Sequence, residues 1–316
     1  MQMSATWTSV TGSRLACRTP AFLRYLEQIT IAAGDTMDHP DSRERIPKFI
    51  DDNAVDPTTI DRPLSDFATL NEFFARPLPE GARPIASPTD PRVVISPADC
   101  RISCYPAVAL DANLEVKARH IPVERLLGLA DESASQHEER EAIGRFADQH
   151  RGGGLAVAVC RLAPGDYHRF HSPVDATWSP DHVLDAGDEY HSVAPVAVRS
   201  SVDVFARNRR KVTLQHSPDL GEFAMVIVGA AKVASIELTA PVPRVGRGDE
   251  FGVFRYGGST VVLLCDPTKL AFDDDLVTTT ASGFETLIRM GESIGTITPP
   301  KVPSSTVARP STTPPR

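Results

Sequence analysis

Three short segments hold the side chains that could do chemistry. In Val253-Phe254-Arg255-Tyr256-Gly257-Gly258-Ser259-Thr260-Val261-Val262, a glycine pair precedes a serine between two apolar runs. Glycine there frees the backbone for strained φ/ψ values, so the Ser259 hydroxyl could reach the Gly258 carbonyl behind it and cut its own chain. The same letters also fit a plain β-hairpin on a Gly-Gly turn. The second segment, Pro164 to Pro173, carries His168 and His171. That spacing suits a metal only on a helix, and the flanking Pro-Gly and Ser-Pro oppose one. If the segment is extended, Tyr167, Arg169 and His171 face one way and His168 and Phe170 the other, which gives the histidines different jobs. Hydrogen-bonded structural histidines are the alternative. The third segment is Ser96-Pro97-Ala98-Asp99-Cys100-Arg101, where Asp99 could be a simple Asx-turn residue. Together the segments supply a nucleophile, a base and an orienting carboxylate from separate loops.

These loops need a scaffold. Thr19-Pro20 followed by Phe22, Leu23, Leu26 and Ile29 predicts a capped amphipathic helix. Thr69 with Glu72 predicts a capping box opening on Phe73 and Phe74, and the first 85 residues read as mostly helical. From Arg92 on, short β-branched runs alternate with Gly, Pro, Asp and Asn turns, the pattern of an antiparallel sheet. The expected class is therefore α+β, a mainly antiparallel β core with an N-terminal helical region. Residues 106–150 form a polar interruption, read as a helix around Glu124 to Leu129 plus a surface loop. The expected divisions are a flexible N-terminus at 1–18, a catalytic domain at 19–295 and a disordered tail at 296–316. The tail has six Pro and eight Ser or Thr in 21 residues. The first 19 residues contain no Asp or Glu but include Arg14 and Arg18, so a transit peptide is the alternative to a frayed end.

Composition narrows the classes. The 316 residues allow about two domains or one large domain with tails. A formal charge of -8 without basic clusters argues against nucleic acid as partner. The apolar runs fall short of the roughly 20 residues that span a bilayer. Five cysteines without a C-x-x-C pair argue against a disulfide scaffold or a zinc ribbon and favour a reducing compartment.

Five ordered stretches go further: TLNEFFARPLPEGARPI from Thr69, SPADCR from Ser96, LAPGDYHRFHSPV from Leu162, VGAAKVASI from Val228 and RGDEFGVFRYGGSTVVLL from Arg247. With these the chain resembles the phosphatidylserine decarboxylases, pyruvoyl-dependent enzymes, from about Ile46 to Gly295. The resemblance implies self-cleavage between Gly258 and Ser259 through a relay of Asp99, His171 and Ser259. Ester breakdown by elimination then leaves a pyruvoyl group in place of Ser259. Chains 1–258 and 259–316 would stay associated, and a homodimer is open. The pyruvoyl ketone would condense with the substrate amine and draw electrons as carbon dioxide leaves, with His168 near the carboxylate or donating the proton. Neither metal nor nicotinamide is needed. Ala234, Ala176 and Cys265 depart from the family pattern, away from these positions.

The implied substrate is phosphatidylserine at a membrane surface, met through the Phe22 to Ile29 helix or apolar loop tips. A cytoplasmic or peripheral membrane location without a transmembrane segment follows. The competing readings are a soluble pyruvoyl decarboxylase of a free, for example aromatic, amino acid, and a homologue that binds without cleaving itself.

Overall fold

The computed structural model describes residues 19–110, 113–115, 120–129, 136–191, 204–229, 235–255 and 259–299. The expected flexible stretch at 1–18 lies outside these residues. The N-terminal layer is α1 (Pro20–Asp38), α2 (Ile46–Asn53) and α3 (Leu70–Phe74). α1 starts as expected, with Thr19 Oγ1 accepting from the Phe22 amide at 3.3 Å. At α3, Thr69 Oγ1 accepts from the Glu72 amide at 3.1 Å. Glu72 answers one residue earlier than a regular capping box, accepting from the Ala68 amide at 2.7 Å. Phe49, Phe67, Phe73 and Phe74 meet edge to face and form this layer's own core with Ile46 and Leu70.

The sheets follow. In chain order the elements are β1 (Val93–Ile95), β2 (Cys100–Val108), β3 (Asn113–Glu115), β4 (His120–Pro122), α4 (Val123–Leu126), α5 (His137–Gln149), β5 (Leu155–Leu162), β6 (Arg169–His171) and β7 (Ala176–Ala186). Next come α6 (Val204–Arg207), β8 (Arg210–Ser217), β9 (Gly221–Val228), β10 (Ile236–Leu238), β11 (Arg244–Val245), β12 (Glu250–Phe254) and β13 (Ser259–Cys265). The last are β14 (Leu270–Phe272), α7 (Asp274–Ala281), β15 (Thr286–Ile288) and β16 (Ser293–Ile297). The main sheet has eight antiparallel strands in the order β11-β7-β8-β9-β13-β5-β2-β15. Smaller sheets are β10-β12-β6, β1-β16-β14 and β3-β4.

β5 and β13 are apolar at nearly every position because both faces of the main sheet are covered. One face carries Cys160, Met225, Ile227, Val261 and Leu263 and packs against Phe170, Phe251, Phe254 and Ile294 of the small sheets. The other carries Val157, Val159, Val226, Val262 and Leu264 under Ile143 and Phe146 of α5. The expected α+β class with an antiparallel core is the observed one.

Three expectations change. Residues 253–264 are not a hairpin: β12 belongs to a small sheet and β13 to the main one, so the chain changes sheets between them. The interruption at 106–150 is not mainly a loop. β2 runs to Val108, the expected helix shortens to Val123–Leu126, and α5, hidden by its charged outer face, seals the second core. Thr296 and Ile297 do not belong to the expected tail, because β16 pairs Thr296 with Val93 and Ile297 with Leu270; residues 300–316 lie outside the described residues. Removing residues 300–316 is therefore expected to leave thermal stability unchanged. Removing 296–316 loses buried Ile297 and the bond from the Thr298 amide to the Lys269 carbonyl, about 2–4 kcal/mol. Melting curves of the two truncations check this.

Candidate active site

Ser259 opens β13, the strand held on both sides by β9 and β5. It pairs with Leu162, and the next residue, Thr260, pairs with Arg161 on one side and Val228 on the other. Gly258 and the Ser259 side chain lie outside the described residues.

Leu162 leads directly into the histidine segment. Ala163 follows it, and the His168 ring donates from Nε2 to the Ala163 carbonyl at 3.0 Å. That bond places the lone pair on Nδ1. The ring is fully buried and stacked on Phe74, centroids 3.8 Å apart. Burial, with the nearby Arg76 guanidinium, pushes its pKa down to about 3. His168 is thus a neutral, desolvated ring hydrogen-bonded to Ala163, the residue after the ladder partner of Ser259.

His171 is also buried but differently bound. Its Nδ1 donates to the Gly248 carbonyl at 2.9 Å, and Nε2 takes the Tyr167 hydroxyl at 2.9 Å. Gly248 has φ +86, and a Cβ there would stand 2.5 Å from the Ile85 side chain. A glycine is therefore required to present that carbonyl. Burial keeps His171 below the usual histidine range and raises the Tyr167 phenol. The two histidines thus meet different partners.

Asp99, at the entrance to β2, does not hold a histidine. It accepts from Arg83 through Nε at 3.0 Å and Nη2 at 2.6 Å, and from the Met290 amide at 2.8 Å. The expected Asp99-His171 hydrogen bond is therefore absent among the described residues. The two are joined through the backbone instead, the His171 amide donating to the Pro97 carbonyl at 2.8 Å. A bidentate guanidinium is the stronger partner for a buried carboxylate, and Arg83 takes the position the histidine was expected to fill.

Sequence reasoning missed Arg83 and Arg76, and it placed Tyr167 on the face of His171 without anticipating the hydrogen bond between them. All three lie in the quoted stretches, but nothing in a linear sequence shows that Arg76 is buried with its guanidinium on Thr59 and the Phe73 carbonyl, or that it lies near His168. Asp166 ties the turn before His168 to β2, accepting from Arg101 Nη1 at 2.8 Å and the Ala163 amide at 2.6 Å. Gly165 lets that turn close, since a Cβ would stand 2.1 Å from the Asn53 carbonyl of α2.

The depressed histidines have a measurable consequence. As the pH falls from about 6.5 toward 3 the unfolded chain takes up protons that folded His168 refuses, so its contribution is intact above 6.5 and declines below it. The expected slope is on the order of 1.4 kcal/mol per pH unit for each such group, and His171 adds with the same sign. Urea midpoints measured against pH should fall less steeply for His168→Gln than for the wild type.

Ser259 thus opens the central strand β13 opposite Leu162, the residue that leads into the segment of a neutral, desolvated histidine. Sequence comparison supplies the particular lineage. A family model for phosphatidylserine decarboxylase matches residues 70–296, and the chain belongs to that family. It is 37% identical over 282 residues to phosphatidylserine decarboxylase proenzyme 3 of Schizosaccharomyces pombe, covering 89% of this chain and 27% of that protein. Against proenzyme 2 of Oryza sativa the identity is 34%, covering 86% of this chain and 42% of the relative. Against the proenzyme of Chlamydia muridarum it is 37%, covering 74% and 71%. The chain thus spans less than half of the fungal and plant relatives and most of the bacterial one.

Proposed function

We propose that this protein is a proenzyme that cleaves itself between Gly258 and Ser259 and then decarboxylates phosphatidylserine to phosphatidylethanolamine. Family membership supports the reaction. The observation that carries the site is the position of Ser259, at the head of β13 opposite Leu162, with His168 bonded to the adjoining Ala163 carbonyl. The change of sheet between Phe254 and Ser259 supports the cleavage. After it, β12 and β13 remain fixed in separate ladders and the two chains stay together without the peptide bond.

The residues fit a pyruvoyl group made from Ser259, because its ladder partner and the following Thr260 are buried. When formed, that group supplies an electron sink for loss of carbon dioxide. The chain's own groups do the rest. His168 exchanges a proton at Nδ1, Nε2 being committed to Ala163. Arg76 and burial keep the ring neutral. His171 and Asp99 hold the Ser96–Asp99 turn and the Gly248 turn in the geometry that self-cleavage requires. The substrate is a lipid, so turnover depends on vesicle or micelle surface.

A denaturing mass spectrum of the purified protein should show chains 1–258 and 259–316. Carbon dioxide should be released from phosphatidylserine vesicles faster than from free serine or tryptophan. A single intact chain after prolonged incubation, or faster turnover of a free amino acid, overturns the reading. Among the described residues no helix is long and apolar enough to cross a membrane. Vesicle binding is accordingly expected to be peripheral and apolar and to survive added salt, given the net charge of -8.

A further inference from the structure

Phe284 and Leu287 are the most exposed large apolar side chains among the described residues, each 69% accessible. Neither takes part in the chemistry above. Phe284 closes α7. The Gly283 amide donates to the Thr280 carbonyl at 2.9 Å and the Phe284 amide to the Thr279 carbonyl at 3.1 Å, a Schellman ending with Gly283 at φ +81. A hydrophobic residue in the place of Phe284 usually packs back on the last turn of its helix. Here that turn offers Thr278 and Thr279, so the ring finds no apolar partner on it and stands out. Leu287 is outside for a different reason. β15 is the edge strand of the main sheet, and alternation along it turns Ile288 into the core and Leu287 outward.

Between the two lies a carboxylate that is turned away. Glu285 accepts from Arg161 Nε at 3.1 Å and Nη2 at 2.6 Å. The two side chains are 14% and 15% exposed, so the one charge between Phe284 and Leu287 is neutralised on its inner side. The crest also lies level with the serine. Leu287 pairs with Arg101, Arg101 with Arg161, and Arg161 with Thr260, the residue after Ser259. At about 4.8 Å per strand, those three steps place Leu287 about 14 Å along the sheet from β13.

We infer, on the strength of the decarboxylase reading, that the Phe284–Leu287 crest seats the protein on a phospholipid surface, both side chains entering the boundary of the acyl chains. Two features favour lipid over a second copy of this chain. Two side chains cover about 300 Å², far below the roughly 1,200 Å² of a specific protein interface. β15 is three residues long, a short edge on which to extend the sheet into a neighbour. The helix α1 is a poorer lipid contact, because its exposed Tyr25 and Ile31 lie about 120° apart around the axis and form no single patch.

The test uses purified mature protein and vesicles of equal parts phosphatidylcholine and phosphatidylserine. Replacing both residues, Phe284→Ser with Leu287→Ser, is expected to weaken vesicle binding in a flotation assay about tenfold or more. Self-cleavage should be complete and Tm unchanged. KM expressed as vesicle lipid should rise with the loss of binding, while turnover of monomeric short-chain phosphatidylserine stays within about twofold. The emission added by Phe284→Trp should shift to the blue with vesicles and be quenched by lipids brominated in the acyl chain. Tyr25→Ser with Ile31→Ser should bind as the wild type does. Undiminished binding of the Phe284/Leu287 double variant, or unmoved emission from Phe284→Trp, overturns the crest. So does a wild type that sediments as a dimer beside a double variant that sediments as a monomer, which would assign these residues to a second copy. A wild type that binds vesicles through the crest yet releases no carbon dioxide sinks the decarboxylase reading alone. A wild type that decarboxylates while the double variant binds undiminished sinks the crest alone.

Discussion

Ser259→Ala is expected to give one uncleaved chain with no decarboxylase activity. Alanine offers no oxygen to attack the Gly258 carbonyl and no route to a pyruvoyl group, so cleavage and cofactor are lost together. The fold should survive. Ser259 contributes its main chain to the ladder opposite Leu162, and alanine keeps that main chain. A denaturing mass spectrum reads the cleavage, carbon dioxide release reads the activity, and a melting curve near that of the wild type shows the scaffold is intact. Decarboxylation persisting in this variant would mean that the electron sink comes from elsewhere.

The second large effect divides the two histidines. His171→Ala and Asp99→Asn are expected to arrest maturation, leaving mostly full-length chain. His171 bridges the Gly248 turn and the Pro97 carbonyl, and Asp99 fastens Arg83 and the Met290 amide. Each loss slackens the frame around the scissile bond. Asp99→Asn also leaves the buried Arg83 guanidinium with Asp56 as its remaining carboxylate, a defect on the order of 1–3 kcal/mol. Its folding must therefore be measured alongside its cleavage. His168→Ala is expected to mature yet lose roughly 10²–10⁴-fold in kcat, the usual value of a positioned acid or base. Its ring lies beside the ladder partner of Ser259 and does not support the turns that His171 supports. The opposite pattern, His168→Ala uncleaved and His171→Ala cleaved normally, would exchange the two roles.

Much of the site was legible because chemistry leaves compositional marks. Glycines before Ser259, histidines in a segment closed by Pro-Gly and Ser-Pro, and Asp99 between apolar runs are local patterns. So were the capped start of α1 and the Thr69 cap of α3, which depend on residues three apart. The alternation from Tyr167 to His171 anticipated correctly that the histidines meet different surroundings: Phe74 and the Ala163 carbonyl for one, Tyr167 and the Gly248 carbonyl for the other. α5 was missed because its outward face is dense in Glu and Arg, and its apolar stripe is narrow until the sheet it covers is known.

By itself, then, the sequence determined the antiparallel α+β class, the family, and the four residues proposed to carry the reaction, all set by residue type and short-range spacing. Only the tertiary structure decided who holds whom. Arg83 rather than His171 takes Asp99, and the strands flanking the glycine pair separate into two sheets. The physical reason is that these pairings close over long sequence separations. The ladder register and the desolvation that makes a guanidinium or an imidazole choose its partner exist only after the sheets have packed.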